Sequence, residues 1–274
     1  MTIKLIALDL DGTTLNKEGR LSERNRAALQ AAYEKGVKIV IATGRPFVAL
    51  PEEILDFEPV RYVLTSNGAR ITDLSTGEAI YENCLDSHAV EAAVEMLKEH
   101  DYVLEIFIDG IAYIEGHFYR MVAEKTGETL RDVNYILRTR RPMDDFYNFM
   151  LKNKSKIENI NVNFENIDEK PAMKAKLETL PDVTITSAFN HNLEIGGSTT
   201  SKATALHEMC RIFDIHQDEI LAVGDSHNDM AMLQASGLPV AVANAKPEVL
   251  ELAEFIAPAN HEDGVAVAVE KFVL

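Results

Sequence analysis

Two acidic residues, Asp9 and Asp11, stand at the end of an apolar run over residues 5–8. The near-continuous apolar character of residues 3–10 predicts a β-strand that is buried on both faces. A carboxylate beside apolar surroundings needs a cation, a proton or hydrogen-bond donors to offset its desolvation, so this pair indicates a metal site or an acid/base site. Gly12 allows the backbone to turn close to a ligand. A strand that ends in a simple Asp-Gly turn is the alternative that this segment alone leaves open.

Further polar side chains follow predicted strands or begin a predicted helix. They are Thr43, Gly44 and Arg45 after residues 37–42, Asn67 after residues 62–65, Lys202 at the start of a helix over residues 201–213, and Asp225, Asn228 and Asp229 after residues 220–223. A phosphoryl-transfer site needs a nucleophile, a cation, donors to the phosphate oxygens and an acid for the leaving group. Taken singly, Thr43 could be a helix cap and Lys202 a solvated residue. Their joint occurrence in this order favours a catalytic site.

The order of the elements predicts how these side chains are brought together. Strands and helices alternate over residues 3–65, where Ser22 is predicted to cap one helix and Pro46 to begin another. The alternation resumes from Leu193. We therefore predict an α/β fold, a Rossmann-like parallel sheet with helices on both faces. Ligands collect at the carboxyl ends of the strands in such sheets, where Asp9, Thr43 and Asn67 fall.

Residues 84–189 interrupt this alternation. Asp109-Gly110 joins two strand-like runs and predicts a tight hairpin, and helices are predicted within residues 118–127 and 169–180, with a strand over residues 183–188. We predict that residues 84–189 form an inserted α+β domain. Residues 1–83 and 190–274 would then form the core. A basic run over residues 138–141 is either a solvated loop or an anion contact.

Composition limits the classes of partner. The chain has 274 residues, 46% of them hydrophobic, which is enough for two domains, and 44 acidic against 27 basic residues give a formal charge of −17. Such a charge repels nucleic acid and anionic membranes, so we expect neither as a partner. Cys84 and Cys210 are too few for a disulfide framework or a structural zinc site. Because Asp9 and Asp11 interrupt the first apolar run, no signal peptide is predicted, and we expect a soluble cytoplasmic protein.

The chain resembles the haloacid dehalogenase superfamily, whose four motifs match segments of this sequence in order. These segments are Asp9-Leu10-Asp11-Gly12-Thr13, Thr43-Gly44-Arg45, Lys202, and Gly224-Asp225-Ser226-His227-Asn228-Asp229. The position of the insert, Asn67-Gly68 and Glu262-Asp263-Gly264-Val265-Ala266 are similar to the Cof-type branch with a C2 cap. The resemblance implies a magnesium-dependent phosphatase that acts on small phosphate esters, with sugar phosphates as the expected substrates. The cap would close over the substrate.

The resemblance also implies a role for each matched residue. Asp9 would attack phosphorus and form an aspartyl-phosphate, and Asp11 would be the general acid and base. Lys202 would pair with Asp9 and with phosphate. Mg²⁺ would be held by the Asp9 carboxylate, the Asp11 carbonyl and Asp225, with Asn228 and Asp229 near the metal or its waters. The remaining implied substrate contacts are Leu10, Asp11, Thr43, Gly44, Arg45, Asn67 and Asn228.

The segment before Lys202 departs from the usual family pattern. Ala203 stands where Gly is common, and residues 196–203 are a near miss for a nucleotide-binding P-loop, which we reject because Ser201 replaces the required Gly. No role is predicted for His227. A sugar-phosphate mutase or phosphotransferase that uses the same nucleophile remains the enzymatic alternative, and a non-catalytic metabolite-binding regulator is a third hypothesis. Either a monomer or a homodimer is expected.

Overall fold

The computed structural model describes residues 2–124, 133–187 and 189–274. Over these residues the strands are β1 (Leu5–Asp9), β2 (Lys38–Ala42), β3 (Val60–Thr65), β4 (Arg70–Asp73), β5 (Glu78–Glu82), β6 (Val103–Ile108), β7 (Ile111–Glu115), β8 (Arg140–Met143), β9 (Ile157–Asn163), β10 (Val183–Thr186), β11 (Asn192–Gly197), β12 (Ile220–Gly224), β13 (Leu238–Val242) and β14 (Phe255–Ala257).

The α-helices over the same residues are α1 (Glu23–Glu34), α2 (Glu52–Leu55), α3 (Ser87–Leu97), α4 (Gly116–Glu124), α5 (Val133–Thr139), α6 (Phe146–Lys152), α7 (Lys170–Leu177), α8 (Lys202–Phe213), α9 (Met230–Gln234), α10 (Pro247–Leu252) and α11 (Gly264–Phe272). No helix among the described residues is long and apolar enough to span a membrane.

An eight-stranded sheet forms the first unit, with the order β14-β13-β12-β1-β2-β3-β4-β5. The six strands from β14 to β3 run parallel, and β4 is antiparallel to β3. Strand β1 is entirely buried, as its continuous apolar run predicts. The chain leaves β1 toward β2 on one side and returns later to β12 on the other. The carboxyl ends of these three neighbouring strands therefore form a topological switch point.

Local signals in the sequence are reproduced in most of these elements. The predicted parallel α/β fold is confirmed. Ser22 caps α1 by accepting a hydrogen bond from the backbone N–H of Asn25. The hairpin turn at Asp109 and Gly110 is also confirmed, with φ values of 51° and 73° that suit a primed turn. Pro46 does not begin a regular helix. Only a short 3₁₀ turn, Phe47–Ala49, and the four-residue α2 follow it.

A six-stranded sheet forms the second unit, with the order β10-β11-β9-β6-β7-β8. Its apolar face packs against the helices through a buried cluster that includes Leu104, Ile106, Ile160 and Val162. The helix predicted within residues 118–127 is α4, Gly116–Glu124, and residues 125–127 lie outside the described residues. The predicted strand over residues 183–188 ends at Thr186, and Ala188 is likewise outside them.

The two compact units differ from the predicted domains most at the end of the insert. The first unit comprises residues 1–44, 50–81 and 201–274, and the second comprises residues 45–49 and 82–200. Strand β11, which we expected to return to the core near Leu193, instead pairs antiparallel with β9 and β10 in the second sheet. The insert therefore ends at residue 200 and not at residue 189, because the hydrogen-bonding partners of β11 lie in the insert.

The basic run over residues 138–141 contains a structural arginine. The guanidinium of Arg140 donates to both oxygens of Glu105, at 3.2 and 3.0 Å, and both side chains are buried. Arg140 also donates to the Thr139 hydroxyl, and its guanidinium lies over the Tyr135 ring. For Arg140 the interpretation as a solvated loop residue is therefore wrong, because its charge is compensated inside the unit.

Gly68 allows the backbone to pass close to the start of α8. Its φ is 95°, and a Cβ atom at this position would lie 2.2 Å from the carbonyl oxygen of Ser201, the residue that caps α8. A side chain here must therefore displace either the turn after β3 or the helix that carries Lys202.

We predict that Gly68→Ala lowers the free energy of unfolding by about 1–3 kcal/mol more than Gly77→Ala does, as measured by urea titration. Gly77 has a similar positive φ of 73°, but an added Cβ there would have no atom within 4 Å, so this position isolates the backbone strain. Equal losses in the two variants would contradict the proposed steric role of Gly68.

Candidate active site

A buried lysine lies at the centre of the site. Lys202 is the first residue of α8, and its side chain is fully buried. Its Nζ lies 2.6 Å from Asp9 Oδ1 and 2.6 Å from Asp229 Oδ1. Burial opposes the charged form, but the carboxylates of Asp229 and Asp9 outweigh it and raise the pKa of Lys202. The ammonium therefore stays charged and joins the end of β1 to the loop after β12.

Asp9 is held by only one of its two oxygens. Its Oδ2 is buried and has no hydrogen-bond partner among the described residues. Burial, together with the nearby carboxylate of Asp229, raises the pKa of Asp9 well above its usual value, while Lys202 opposes this shift. A buried carboxylate oxygen without a donor is costly, so Oδ2 is suited to receive a cation or a ligand.

Asp229 is occupied by the protein at both oxygens. Oδ1 accepts from Lys202, and Oδ2 accepts from the backbone N–H groups of Asp225 and Ser226 at 3.0 and 2.9 Å. Its Cβ packs against Gly224, where an added methyl group would lie 2.6 Å away. Asp229 therefore orients Lys202 and the loop after β12.

Asp225 lies on the same loop and faces the turn after β1. Its Oδ1 accepts from the Thr13 hydroxyl at 3.1 Å, and its Oδ2 accepts from the Ser226 hydroxyl at 3.0 Å. Burial and the charge of Asp229 raise the pKa of Asp225. Thr13 was not predicted as a site residue. Its place in the Asp9-x-Asp11-x-Thr13 spacing was the only signal available.

The three aspartates fit a divalent cation. Asp9, Asp225 and Asp229 each offer a carboxylate oxygen within 4.8 Å of the others. One lysine compensates only part of their charge, and the unpartnered Asp9 Oδ2 is a hard oxygen ligand of the kind that Mg²⁺ prefers. Asp229 accepts from the buried ammonium and from two backbone N–H groups, whereas Asp225 accepts from two hydroxyl groups, so these contacts favour Asp9 and Asp225 as the ligand positions.

Asp11 differs from Asp9 in exposure. The chain after β1 makes a tight turn over Leu10–Thr14, in which Asp11 has φ −84° and ψ 120° and Gly12 has φ 82°. Asp9 is buried while Asp11 is exposed. Nearby positions on one turn therefore present one carboxylate fixed by a buried lysine and a second one in contact with solvent. The Leu10 side chain is buried in the core, so only its main chain can serve a ligand.

The ends of β2 and β3 contribute a second group of predicted residues. Asn67, with φ 56°, donates its backbone N–H to the carbonyl of Thr43, and its side-chain oxygen accepts from the Asn228 amide at 3.0 Å. A methyl group on Gly44 would lie 3.0 Å from the same Asn67 oxygen. Thr43, Gly44, Asn67 and Asn228 are therefore brought together, as predicted from their positions at strand ends.

Arg45 is not part of this group. It belongs to the second unit, where its guanidinium donates to the carbonyl of Ala49 at 2.9 Å and lies 5.8 Å from the centre of the Tyr135 ring. The boundary between the two units lies between Gly44 and Arg45. The sequence carried no signal for this division.

Comparison with known proteins gives consistent matches along the whole chain. The family described as haloacid dehalogenase-like hydrolases matches residues 6–269. The chain is 30% identical over 272 residues to the 5-amino-6-(5-phospho-D-ribitylamino)uracil phosphatase YcsE of Bacillus subtilis, with 99% of this chain and 96% of the relative covered.

Solved structures agree with this match. A haloacid dehalogenase-like hydrolase from B. subtilis superposes with a TM-score of 0.84 at 27% identity, covering 99% of this chain and 100% of the other. A phosphatase of the same superfamily from Bacteroides thetaiotaomicron gives a TM-score of 0.80 at 26% identity, covering 99% and 95%.

We predict that Lys202→Met lowers the free energy of unfolding by about 3–5 kcal/mol in metal-free buffer, because it leaves the Asp9 and Asp229 carboxylates buried without a cation. Urea unfolding measures the change. Lys4→Met is the control, since Lys4 pairs with Glu219 at 2.6 Å on the surface and should contribute less than about 1 kcal/mol. Similar losses in both variants would contradict the assigned role of the buried ammonium.

Proposed function

The chain belongs to the family of haloacid dehalogenase-like hydrolases, and on this premise we propose that it is a magnesium-dependent phosphatase that works through an aspartyl-phosphate on Asp9. The family and the relatives establish the coarser activity, which is hydrolysis of small phosphorylated substrates by a phosphoric monoester hydrolase. The observation that carries the finer proposal is the Asp9 carboxylate, bound at Oδ1 by Lys202 and unpartnered at its buried Oδ2 among the described residues.

In the proposed first step, an Asp9 oxygen attacks phosphorus and the bond from phosphorus to the ester oxygen breaks. Asp11 gives a proton to the departing alkoxide, so that a neutral alcohol leaves. In the second step Asp11 takes a proton from water, which attacks phosphorus and releases inorganic phosphate from Asp9. Asp11 loses one proton in the first step and regains one in the second, so its protonation state is restored at the end of each turnover.

Lys202 and Asp229 support the attack by holding the Asp9 carboxylate in place. The Lys202 ammonium bonds Asp9 Oδ1, which leaves Oδ2 for the attack, and Asp229 fixes the ammonium. The same positive charge can offset charge on the phosphate oxygens in the transition state. We assign the hydroxyl and backbone groups of Thr43, together with Gly44, Asn67 and Asn228, to the phosphate oxygens. We also propose that Arg45 contacts the substrate.

Mg²⁺ is the metal that we propose for the aspartate cluster. Asp9, the Asp11 carbonyl and Asp225 would hold it, with Asn228 and Asp229 contributing through the surrounding waters or through Lys202. When bound, the ion would supply the positive charge that allows an anionic phosphate to approach several carboxylates.

The polar residues of the second unit support the proposal that the substrate is rich in hydroxyl groups. Side chains alternate along a strand, so the residues between the core residues of β6, β9 and β11 share the opposite face of the sheet. These residues include Glu105, Asn159, Asn161, Asn163, Asn192 and Glu194, and all are buried.

Several groups on this polar face are bonded to one another. The Asn192 amide donates to Asn161 Oδ1 and to Glu194 Oε1, at 3.3 and 3.2 Å. Asn159 Oδ1 is buried and has no partner among the described residues. It lies beside a bulge at Glu158, a feature that redirects a side chain. Amide and carboxylate groups suit hydroxyl groups better than a second phosphate, and the buried guanidinium of Arg140 on this sheet is already paired with Glu105.

We therefore propose sugar or polyol monophosphates as the substrates. The name of the B. subtilis relative YcsE includes a phosphorylated ribityl group, which is a polyol phosphate of this class. Recognition of hydroxyl groups in the second unit would let the phosphate chemistry stay the same while the alcohol is selected.

The central test is release of inorganic phosphate from an aryl phosphate and from a sugar monophosphate. We predict Mg²⁺-dependent release that EDTA abolishes, and a loss of several orders of magnitude in Asp9→Asn, because the nucleophile is removed. Asp56→Asn, which changes an exposed aspartate of the same unit, should keep full activity. Isomerisation of the sugar phosphate without phosphate release would overturn hydrolysis in favour of a mutase. Binding without turnover of any ester would indicate a regulator.

The substrate proposal predicts a change in selectivity for Asn159→Ala. We expect kcat/KM to fall by roughly 3–10-fold for polyol and sugar monophosphates, the value of about one hydrogen bond, and to stay unchanged for an aryl phosphate without hydroxyl groups. Asn153→Ala is the matched control, because its amide donates to the Phe149 carbonyl at the end of α6. An equal change for both ester classes would contradict recognition of hydroxyl groups by Asn159.

A further inference from the structure

Three asparagine amides bond to the turn that carries Asp9 and Asp11. The amide nitrogens donate to consecutive parts of this turn: Asn244 to the Gly12 carbonyl at 2.8 Å, Asn25 to the Thr14 carbonyl at 3.3 Å, and Asn260 to the Leu15 carbonyl at 2.7 Å. We call Asn25, Asn244 and Asn260 the amide clamp. None of them was predicted from the sequence.

The amide clamp ties the turn to the C-terminal part of the chain. Asn25 Oδ1 accepts from the backbone N–H of Ala266, in the first turn of α11, at 2.8 Å. Asn244 Oδ1 accepts from the backbone N–H of Asn260, also at 2.8 Å. Each of these two amides therefore donates to the turn and accepts from the segment before or within α11. This uses both hydrogen-bonding groups of the side chain.

The amide clamp adds to the hydrogen bonds that the turn makes on its own. Asp11 has extended φ and ψ angles and Gly12 has a positive φ, so their carbonyls do not enter a regular helical ladder. Within the turn, Thr14 Oγ1 donates to the Asp9 carbonyl at 2.5 Å and the Leu15 N–H donates to the Leu10 carbonyl at 3.0 Å. Thr14 and Leu15 are buried, and a backbone carbonyl left without a donor at such positions is unfavourable.

Asn244 also lies beside the segment that carries Asp225. Two residues after Asn244, the Lys246 N–H donates to the carbonyl of Asp225 at 2.9 Å. On the other side, Gly12 is so close to Asp225 that an added Cβ would lie 2.8 Å from its Oδ2. The loop after β13 therefore contacts both acid-bearing segments, the turn after β1 and the loop after β12.

We propose that Asn244 and Asn260 are positioning residues, which set the position of the Asp11–Gly12 turn relative to Asp225. The inference rests on the proposed function in that the positioned groups are the proposed acid/base and metal ligands. Asn244 is exposed, so its hydrogen bonds contribute little to the stability of the fold. Its effect should appear in the geometry of the site, where outer residues that orient metal ligands typically change metal affinity or activity by about 10–100-fold.

The test compares Asn244→Ala and Asn244→Asp with the unchanged protein. We expect Mg²⁺ affinity, measured by calorimetric titration without substrate, to weaken about 10-fold, and kcat for an aryl phosphate to fall about 10–100-fold with KM changed less than about twofold. The aspartate variant keeps the acceptor for Asn260 N–H but loses the donor to the Gly12 carbonyl, so it should share these defects. The urea midpoint should change little in either variant.

Asn16→Ala is the matched control, because Asn16 follows the same turn and its Oδ1 accepts from the nearby backbone N–H groups of Glu18 and Arg20. Its Mg²⁺ affinity and kcat should be unchanged. Unaltered Mg²⁺ affinity and kcat in both Asn244 variants would overturn the inference, as would a loss of activity matched by a loss of folded protein. If the unchanged protein released no phosphate, the proposed function would fail, while the Mg²⁺ titration would still test the amide clamp.

Discussion

The fully buried ammonium of Lys202 is the interaction on which the site depends. An isolated charge at this depth would be strongly unfavourable, so it must be paired, and Asp9 and Asp229 supply the pairing from the ends of two neighbouring strands. This pairing fixes the start of α8 above the sheet and brings together residues 193 positions apart. Gly68 permits the arrangement because it leaves room for the Ser201 carbonyl at the start of the same helix.

The charge balance around this lysine explains why the site suits a cation and a phosphate together. Asp9, Asp225 and Asp229 carry more negative charge than one ammonium can offset, and burial raises the pKa of both Asp9 and Asp225. A phosphate alone would be repelled by such a cluster, whereas a divalent cation would reduce the repulsion and satisfy Asp9 Oδ2. Under the proposed function, the different exposure of Asp9 and Asp11 would separate nucleophilic attack from proton transfer on a single turn.

Under the proposed function, the two units contribute different chemistry. In the first, charged groups and backbone turns at the strand ends suit the common phosphoryl step, and the amide clamp joins these turns to the C-terminal helix α11. In the second, the sheet has an apolar face packed on helices and an opposite face of buried amides and carboxylates. A fixed set of charges can serve many phosphate esters, so neutral hydrogen-bonding groups such as Asn159 are better suited to select among alcohols.

The sequence by itself determined the α/β fold, because apolar runs, caps and turn residues act locally. For the same reason it determined that Asp9 ends one strand and that Asp229 follows another. It also indicated the grouping of Thr43 with Asn67, since parallel strands end at one edge. Only the tertiary structure decided which Asp9 oxygen is left without a partner among the described residues, that strand β11 belongs to the insert, and that Asn244 reaches the Gly12 carbonyl. These features depend on pairing between distant segments, and a hydrogen bond between residues 232 positions apart leaves no periodic pattern in the sequence.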